Sequence, residues 1–317
     1  MLETTENPIL FIVFNRLDTT KQVFEVIQQA KPKRLYIASD GPRSGTVDEG
    51  NKVQIVRDYV LSNINWPCEV KTLFQNKNLG CKFAVSSAIT WFFVNEKQGI
   101  ILEDDCLPEI SFFQFCDELL EKYKNEENVA MIGGNNFSPY DTKEASYYFS
   151  KIPHIWGWAT WKRTWNKYDI TMSKYPDFKK NGLIKDIWSN KKVQNYWLGI
   201  LNEVYDNKVN TWDYQLTFSI FTSQSLCICP KVNLVSNIGF GKNVTNTVLH
   251  DNRVANINLD KMTFPLKHPI SLEYKEENDK HINDIYLKYY KTKIILKKLG
   301  IFALIKKIYI YFQSMIK

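Results

Sequence analysis

Three acids in succession, Glu103-Asp104-Asp105, follow the apolar run Ile100-Ile101-Leu102. Crowded carboxylates repel one another, and partial burial raises the cost of keeping them charged. A divalent cation among them relieves both, and oxygen ligands suit Mn²⁺ or Mg²⁺. The same acids also suit a solvated turn entering a helix near Ser111, where negative charge favours the helix N-terminus. On these residues alone the two alternatives are even. Arg16 follows one apolar run and Asp40 another. There a guanidinium and a carboxylate can bracket a nucleobase and ribose through directional hydrogen bonds. Each also serves as an ordinary turn residue, since Ser39-Asp40-Gly41-Pro42 makes a good turn with no ligand. The chain has no Walker loop and no G-x-G-x-x-G, so any nucleotide is held without a glycine-rich loop.

These residues need a scaffold that brings them together. Over the first 135 residues short apolar runs alternate with amphipathic stretches, the pattern of a parallel sheet covered by helices. Strands are predicted at 9–14, 34–39, 68–74 and 99–102, and helices at 18–30, 48–62, 82–95 and 111–124. Polar clusters follow the strands. They are Asn15-Arg16, Asp40 to Arg43, Asn76 to Gly80 and Glu103 to Asp105. In an open α/β sheet the ligand crevice lies outside the carboxyl ends of the strands, so these clusters should converge on one site.

Residues 136–255 are less periodic and rich in aromatics, notably Trp156, Trp158, Trp161 and Trp212. All four are expected to line an acceptor pocket, since indole faces pack on the apolar faces of sugars, although core packing explains the first three nearly as well. The expected organisation is a catalytic unit over 1–255 with halves at 1–135 and 136–255, a polar connector at 256–290, and a basic tail at 291–317. That tail holds seven lysines and no acid, and without them the remaining 34 bases match the 34 acids. The net charge of +7 is therefore local, which argues against a nucleic-acid surface. Ile294, Ile301, Ile305, Ile308, Phe312 and Ile316 would form an apolar stripe on a helix. Such a helix can lie on an anionic membrane surface, dock on the domain, or join two copies. No apolar run reaches the roughly 18 residues that a spanning helix needs. The first residues carry acids where a signal peptide carries lysines, which predicts a cytoplasmic protein peripheral to the inner face of the membrane. The six cysteines include no C-x-x-C and are expected to be free thiols.

The order Pro8 to Arg16, Ser39-Asp40-Gly41, Asn78-Leu79-Gly80 and Leu102-Glu103-Asp104-Asp105 resembles GT-A fold nucleotide-sugar glycosyltransferases. It is most similar to bacterial family-2-like sugar transferases, and more distantly to the animal N-acetylglucosaminyltransferase I. The resemblance covers roughly residues 7–250, and its most specific part is Glu-Asp-Asp followed by Phe112-Phe113. It implies an α/β GT-A fold whose mostly parallel sheet is flanked by helices, with a C-terminal basic helix added. It also implies that Arg16 and Asp40 contact the nucleoside, that Asp105 binds the metal, and that Glu103 and Asp104 face ribose and donor sugar. Lys82 would approach the diphosphate, or stand as an exposed helix lysine. The segment from Trp156 to Trp161 is similar to an active-site loop of the bacterial relatives. So are Asn237 to Gly241 and Thr245 to Thr247, except that many relatives carry His where Asn246 stands. A second protein ligand to the metal is thereby left open, with His250 either a substitute or, as the commoner case, an ordinary surface histidine.

Glycosyl transfer needs a base for the acceptor hydroxyl. Asp213, a carboxylate among aromatics in Thr211-Trp212-Asp213-Tyr214-Gln215, is the candidate and matches the catalytic aspartate of the inverting members. Capping of the following helix explains it almost as well. The expected enzyme is a metal-dependent, inverting hexosyl- or N-acetylhexosaminyltransferase, with a nucleotide-sugar donor and a saccharide or lipid-linked saccharide acceptor, acting in bacterial surface glycan assembly. The rival expectations are a sugar nucleotidyltransferase and a noncatalytic saccharide-binding protein.

Overall fold

A computed structural model describes residues 4–138, 145–239 and 257–298. In chain order the elements are β1 (Ile9–Val13), α1 (Leu17–Ala30), β2 (Arg34–Ser39), α2 (Glu49–Ser62), β3 (Glu69–Phe74), α3 (Gly80–Asn95), β4 (Gln98–Glu103), β5 (Cys106–Pro108) and α4 (Ser111–Lys122). They continue as β6 (Val129–Gly133), β7 (Tyr147–Ser150), β8 (Trp158–Trp161), α5 (Lys162–Trp165), α6 (Tyr175–Lys180), a 3₁₀ turn (Leu183–Asp186), α7 (Lys191–Tyr205), α8 (Asp213–Ser223), β9 (Leu226–Pro230), β10 (Val235–Asn237) and α9 (Glu276–Lys298). The four strands and four helices expected in the first half are all present, with ends moved by two residues at most.

Among the described residues eight strands form one sheet in the order β3-β2-β1-β4-β8-β6-β9-β7, and β5 pairs with β10 beside it. Strands β1 to β4 run parallel; β8 runs against both β4 and β6, and β7 against β9. The sheet is therefore mostly parallel, and strands from both halves of the chain share it. All five residues of β1 are buried, as a central strand covered on both faces requires. The period of two divides them. Ile9, Phe11 and Val13 pack with Phe24 and Phe112 on one face, while Leu10 and Ile12 pack with Ile89 and Leu216 on the other.

The same alternation corrects the expectation for two tryptophans. Strand β8 is paired on both edges by β4 and β6, and a core packs on each of its faces, so neither face meets solvent. Trp158, 1% exposed, enters one core, and Trp161, 3% exposed, enters the other and donates from its indole to the Leu120 carbonyl. Both are core residues and neither lines the cleft.

Residues read as a connector also reach inward: Met262 and Leu266 join the first core, and α9 begins at Glu276, so the boundary at 290/291 falls inside a helix. Ile282 and Ile285 of α9 are buried with Trp197 and Leu201 of α7. Tyr286 stacks on Tyr196 at 5.6 Å. Gly199 permits a close crossing, since a Cβ there would sit 2.0 Å from the Tyr290 hydroxyl. The docked part of α9 thus lies within the expected connector, whereas Asn246, His250 and residues 299–317 lie outside the described residues. No helix among the described residues is long and apolar enough to cross a membrane.

His154 is buried with its ring edge-on to Phe137 at 4.8 Å, and burial pushes its pKa down to about 4. The unfolded chain binds that proton near pH 6.5, so His154 stabilises the fold above that pH and the stability is lost as pH falls toward 4. At about 1.4 kcal/mol per pKa unit, His154→Phe should gain roughly 2 kcal/mol relative to the wild type between pH 7 and 4.5. Denaturant unfolding at the two pH values measures the change; an unchanged difference would refute the assignment.

Candidate active site

Register brings the chemistry to one edge. Val13 pairs with Ser39, and Ile12 with Glu103, so the residues that follow β1, β2 and β4 emerge side by side. A cleft of about 450 Å³ opens there, lined by Arg16, Asp40, Glu103, Asp104 and Asp105 from one half and by Trp156 and Asp213 from the other. The expected convergence is present.

At its floor the guanidinium of Arg16 forks between two acids. Nη2 donates to Asp104 Oδ1 and, at 2.8 Å, to Asp105 Oδ2. The other oxygen of Asp104 accepts the Phe14 N–H at 3.2 Å. The Cys106 thiol lies 3.6 Å from Asp105 Oδ1. Side-chain exposure is 22% for Arg16, 4% for Asp104 and 16% for Asp105, so the group is largely withdrawn from water and its charges need one another. Burial, then Asp105 and Asp104, push Glu103 up to about 8. Burial also pushes Asp104 up to about 6, against the pull of Arg16. Burial lowers the Arg16 pKa, but the two carboxylates outweigh it and raise it above its ordinary value. Gly239 closes over the cluster: a Cβ there would lie 2.2 Å from Asp105 Oδ2 and 2.8 Å from Arg16 Nη1. Ile238 N–H fixes that segment by donating to the Asp105 carbonyl at 2.8 Å.

Asp40 has a different occupation from the one expected. One carboxylate oxygen accepts the N–H groups of Gly41 and Leu79, both at 2.8 Å; the other accepts Gly80 N–H at 3.0 Å and Asn78 Nδ2 at 2.9 Å. It therefore pins the Asn78-Leu79-Gly80 loop and satisfies donors at the start of α3. Arg57 braces the same corner from beneath, donating to the carbonyls of Asp40 at 3.0 Å and Gln75 at 2.8 Å. The next free N–H, that of Lys82, goes to Asn210 Oδ1 at 3.3 Å, and Lys82 Nζ goes to Asn207 Oδ1 at 3.0 Å. Lys82 thus holds the loop before α8 and does not line the cleft.

Asp213 is the first residue of α8, half-buried on the far wall, and Thr211 Oγ1 donates to its Oδ1. Burial raises its pKa, and the Thr211 and helix N–H bonds oppose that. Asp213 thus stands in the first turn of α8 and also on the cleft wall. Its charge in turn contributes to raising Glu103 across the cleft. Trp156 is half-buried at the cleft, edge-on to Phe137 at 5.3 Å, while Trp212 is 2% exposed and stacks on core residue Trp158 at 5.9 Å. Of the four tryptophans expected to meet an acceptor, Trp156 keeps the face best placed for it.

Sequence reasoning missed Arg43 and Glu49. Glu49, 2% exposed, accepts Arg43 N–H at 2.7 Å and Asn15 Nδ2 at 2.9 Å, and its pairing with Arg43 holds it below the usual carboxylate range. Arg43 thereby sets a cation on the cleft wall. The polar cluster Asp40 to Arg43 pointed there, but nothing in the sequence marks Glu49 as buried. Asn210 was missed as well, because its partner Lys82 lies 128 residues away.

A divalent cation does not fit the acids as they are arranged. Three of the four oxygens on Asp104 and Asp105 accept N–H donors, and the fourth faces a thiol. Among the described residues no group of three His, Cys, Asp or Glu side chains is arranged to hold a metal. The Glu103 carboxylate makes no hydrogen bond and would need the Arg16 fork opened before it and Asp105 could share an ion.

No known protein family matches the chain, and no curated protein does. Solved structures do show likeness. HddC from Yersinia pseudotuberculosis is 11% identical with a TM-score of 0.31, over 51% of this chain and 80% of that one. UDP-glucose pyrophosphorylase complexed with UDP-glucose is 12% identical with a TM-score of 0.32, over 51% and 78%. Residues 1–349 of S. aureus TarS are 11% identical with a TM-score of 0.34, over 52% and 49%. The fold of the present chain rests on its own strand order and register.

Removing the Asp40 carboxylate leaves the N–H groups of Leu79 and Gly80 unpaired. Asp40→Ala should destabilise the protein by about 1–2 kcal/mol, the usual cost of a lost cap. Urea unfolding reads this, and a loss below about 0.5 kcal/mol would assign Asp40 to ligand contact alone.

Proposed function

We propose that the chain is a GT-A type glycosyltransferase that moves a sugar from a nucleotide-diphosphate donor to a saccharide or lipid-linked saccharide acceptor, with inversion. The observation that carries this is the placement of Asp213 opposite the acidic end of β4 in one cleft at the carboxyl edge of the sheet. Between those walls a bound sugar has its leaving group on one side and its acceptor on the other. An acceptor hydroxyl attacks the anomeric carbon, Asp213 takes the hydroxyl proton, and the bond to the phosphate oxygen breaks with its electron pair leaving on the nucleoside diphosphate. A single base and direct attack give inversion. Asp213 suits the role because burial raises its proton affinity while Thr211 and the helix N-terminus hold its orientation. Arg43 supplies positive charge on the wall, and Trp156 offers an indole face to a sugar ring. No step is assigned to a metal.

Bacterial surface glycan assembly is the proposed setting, with the chain peripheral to an anionic membrane. A surface groove between α7 and α9 combines Lys192, Lys288 and Lys291 with Leu287, Ile295 and one acid, Asp284, a predominantly basic and apolar mixture that suits a headgroup layer.

Thermal shift against a panel of nucleotides and nucleotide sugars tests the donor site, since a ligand of the folded state raises Tm. One nucleoside diphosphate class should stabilise both the wild type and Asp213→Asn. Turnover of the matching sugar nucleotide should fall by roughly 10²–10⁴ in Asp213→Asn, the usual contribution of a general base. Retained turnover would remove Asp213 from the mechanism, and a folded protein that no nucleotide stabilises would overturn the transferase in favour of saccharide binding.

A further inference from the structure

Arg16 sits where the β1 strand ends and α1 begins, and its backbone is fixed there: its carbonyl accepts Thr20 N–H at 3.1 Å and Thr20 Oγ1 at 2.6 Å. The side chain returns to the end of β4 and uses one nitrogen to join Asp104 and Asp105. We infer that Arg16 is the resident counter-cation of this acidic strand end, and that a divalent cation enters only by displacing it.

Two features make the guanidinium hard to displace. Asp104 is held on its other oxygen by Phe14 N–H, so it cannot rotate toward an incoming ion without giving up that bond. Gly239 stands against the outer side of the pair, leaving no room for so much as a Cβ beside Asp105 Oδ2. Mg²⁺ demands near-octahedral oxygen ligands at about 2.0–2.1 Å and Mn²⁺ suits similar oxygen donors, while each positive charge nearby works against a second. Through Nη2 the guanidinium meets both carboxylates at once and already supplies one of the two positive charges that an ion would bring. On the transferase reading, which this consequence rests on, the donor then binds without added metal.

The test uses the metal alone, so it stands whatever the substrate is. Calorimetric titration of MnCl₂ into the wild type, Arg16→Gln and Arg16→Gln/Asp105→Asn should show Arg16→Gln binding Mn²⁺ roughly tenfold or more tightly than the wild type, because one opposing charge is gone. The double variant should lose that gain. A wild type that binds one Mn²⁺ as tightly as Arg16→Gln overturns the inference, as does a folded Arg16→Gln with no gain. Should Arg16→Gln fail to fold by circular dichroism, the side-chain NMR signals of Arg16 in the wild type decide. They should stay exchange-protected in a large excess of Mg²⁺, and their release at one equivalent would refute the proposal.

Discussion

Three carboxylates stacked at the buried end of β4 are the constraint around which the cleft is arranged. Left to themselves they would repel, take up protons, or pull the strand end into water. Asp104 is almost fully buried, so retreat to solvent is closed to it. The fold answers with Arg16 delivered from the adjacent strand β1, whose parallel register with β4 brings the two strand ends level. Placement of α1, the turn at Phe14 and the close lid at Gly239 all follow from keeping that guanidinium between its partners. Such a cluster contributes little net stability, because the cost of desolvation consumes much of the attraction. Its worth lies in fixing the geometry at one edge of the sheet.

The architecture was legible because its signals are periodic. Central parallel strands read as unbroken apolar runs, and the polar residues just after them mark the carboxyl edge. What could not be read was which polar group meets which. Asp40 looked like a turn residue free to bind a ligand; its four N–H partners include three from Asn78 to Gly80, 38 to 40 positions away. Trp158 and Trp161 looked like neighbours of Trp156 in one aromatic loop. A spacing of three within a strand sends them to opposite faces, and the insertion of β8 between β4 and β6 sets it in the middle of the sheet, where a core covers each face. That insertion comes from pairing with residues 98–101 and 131–133, which no local window contains. The helix α9 escaped for the opposite reason: Glu276 to Asp284 is so polar that its few buried residues, Ile282 among them, give no stripe.

Asp213 illustrates how two explanations of one residue can both hold. A carboxylate in the first turn of α8 serves the helix by meeting its exposed N–H groups. Those same bonds, with Thr211, point it into the cleft and restrain its rotamers. Structural and chemical duties are not rivals at such a position, since a base must be oriented and helix ends orient side chains well.

The asparagines at 207 and 210 tie the segment before α8 to the beginning of α3, and Asp40 ties α3 to the end of β2. On that side the two jaws of the cleft are one solid piece. A molecule that touches that side meets a contour already set by these bonds, and has no wall there to rearrange.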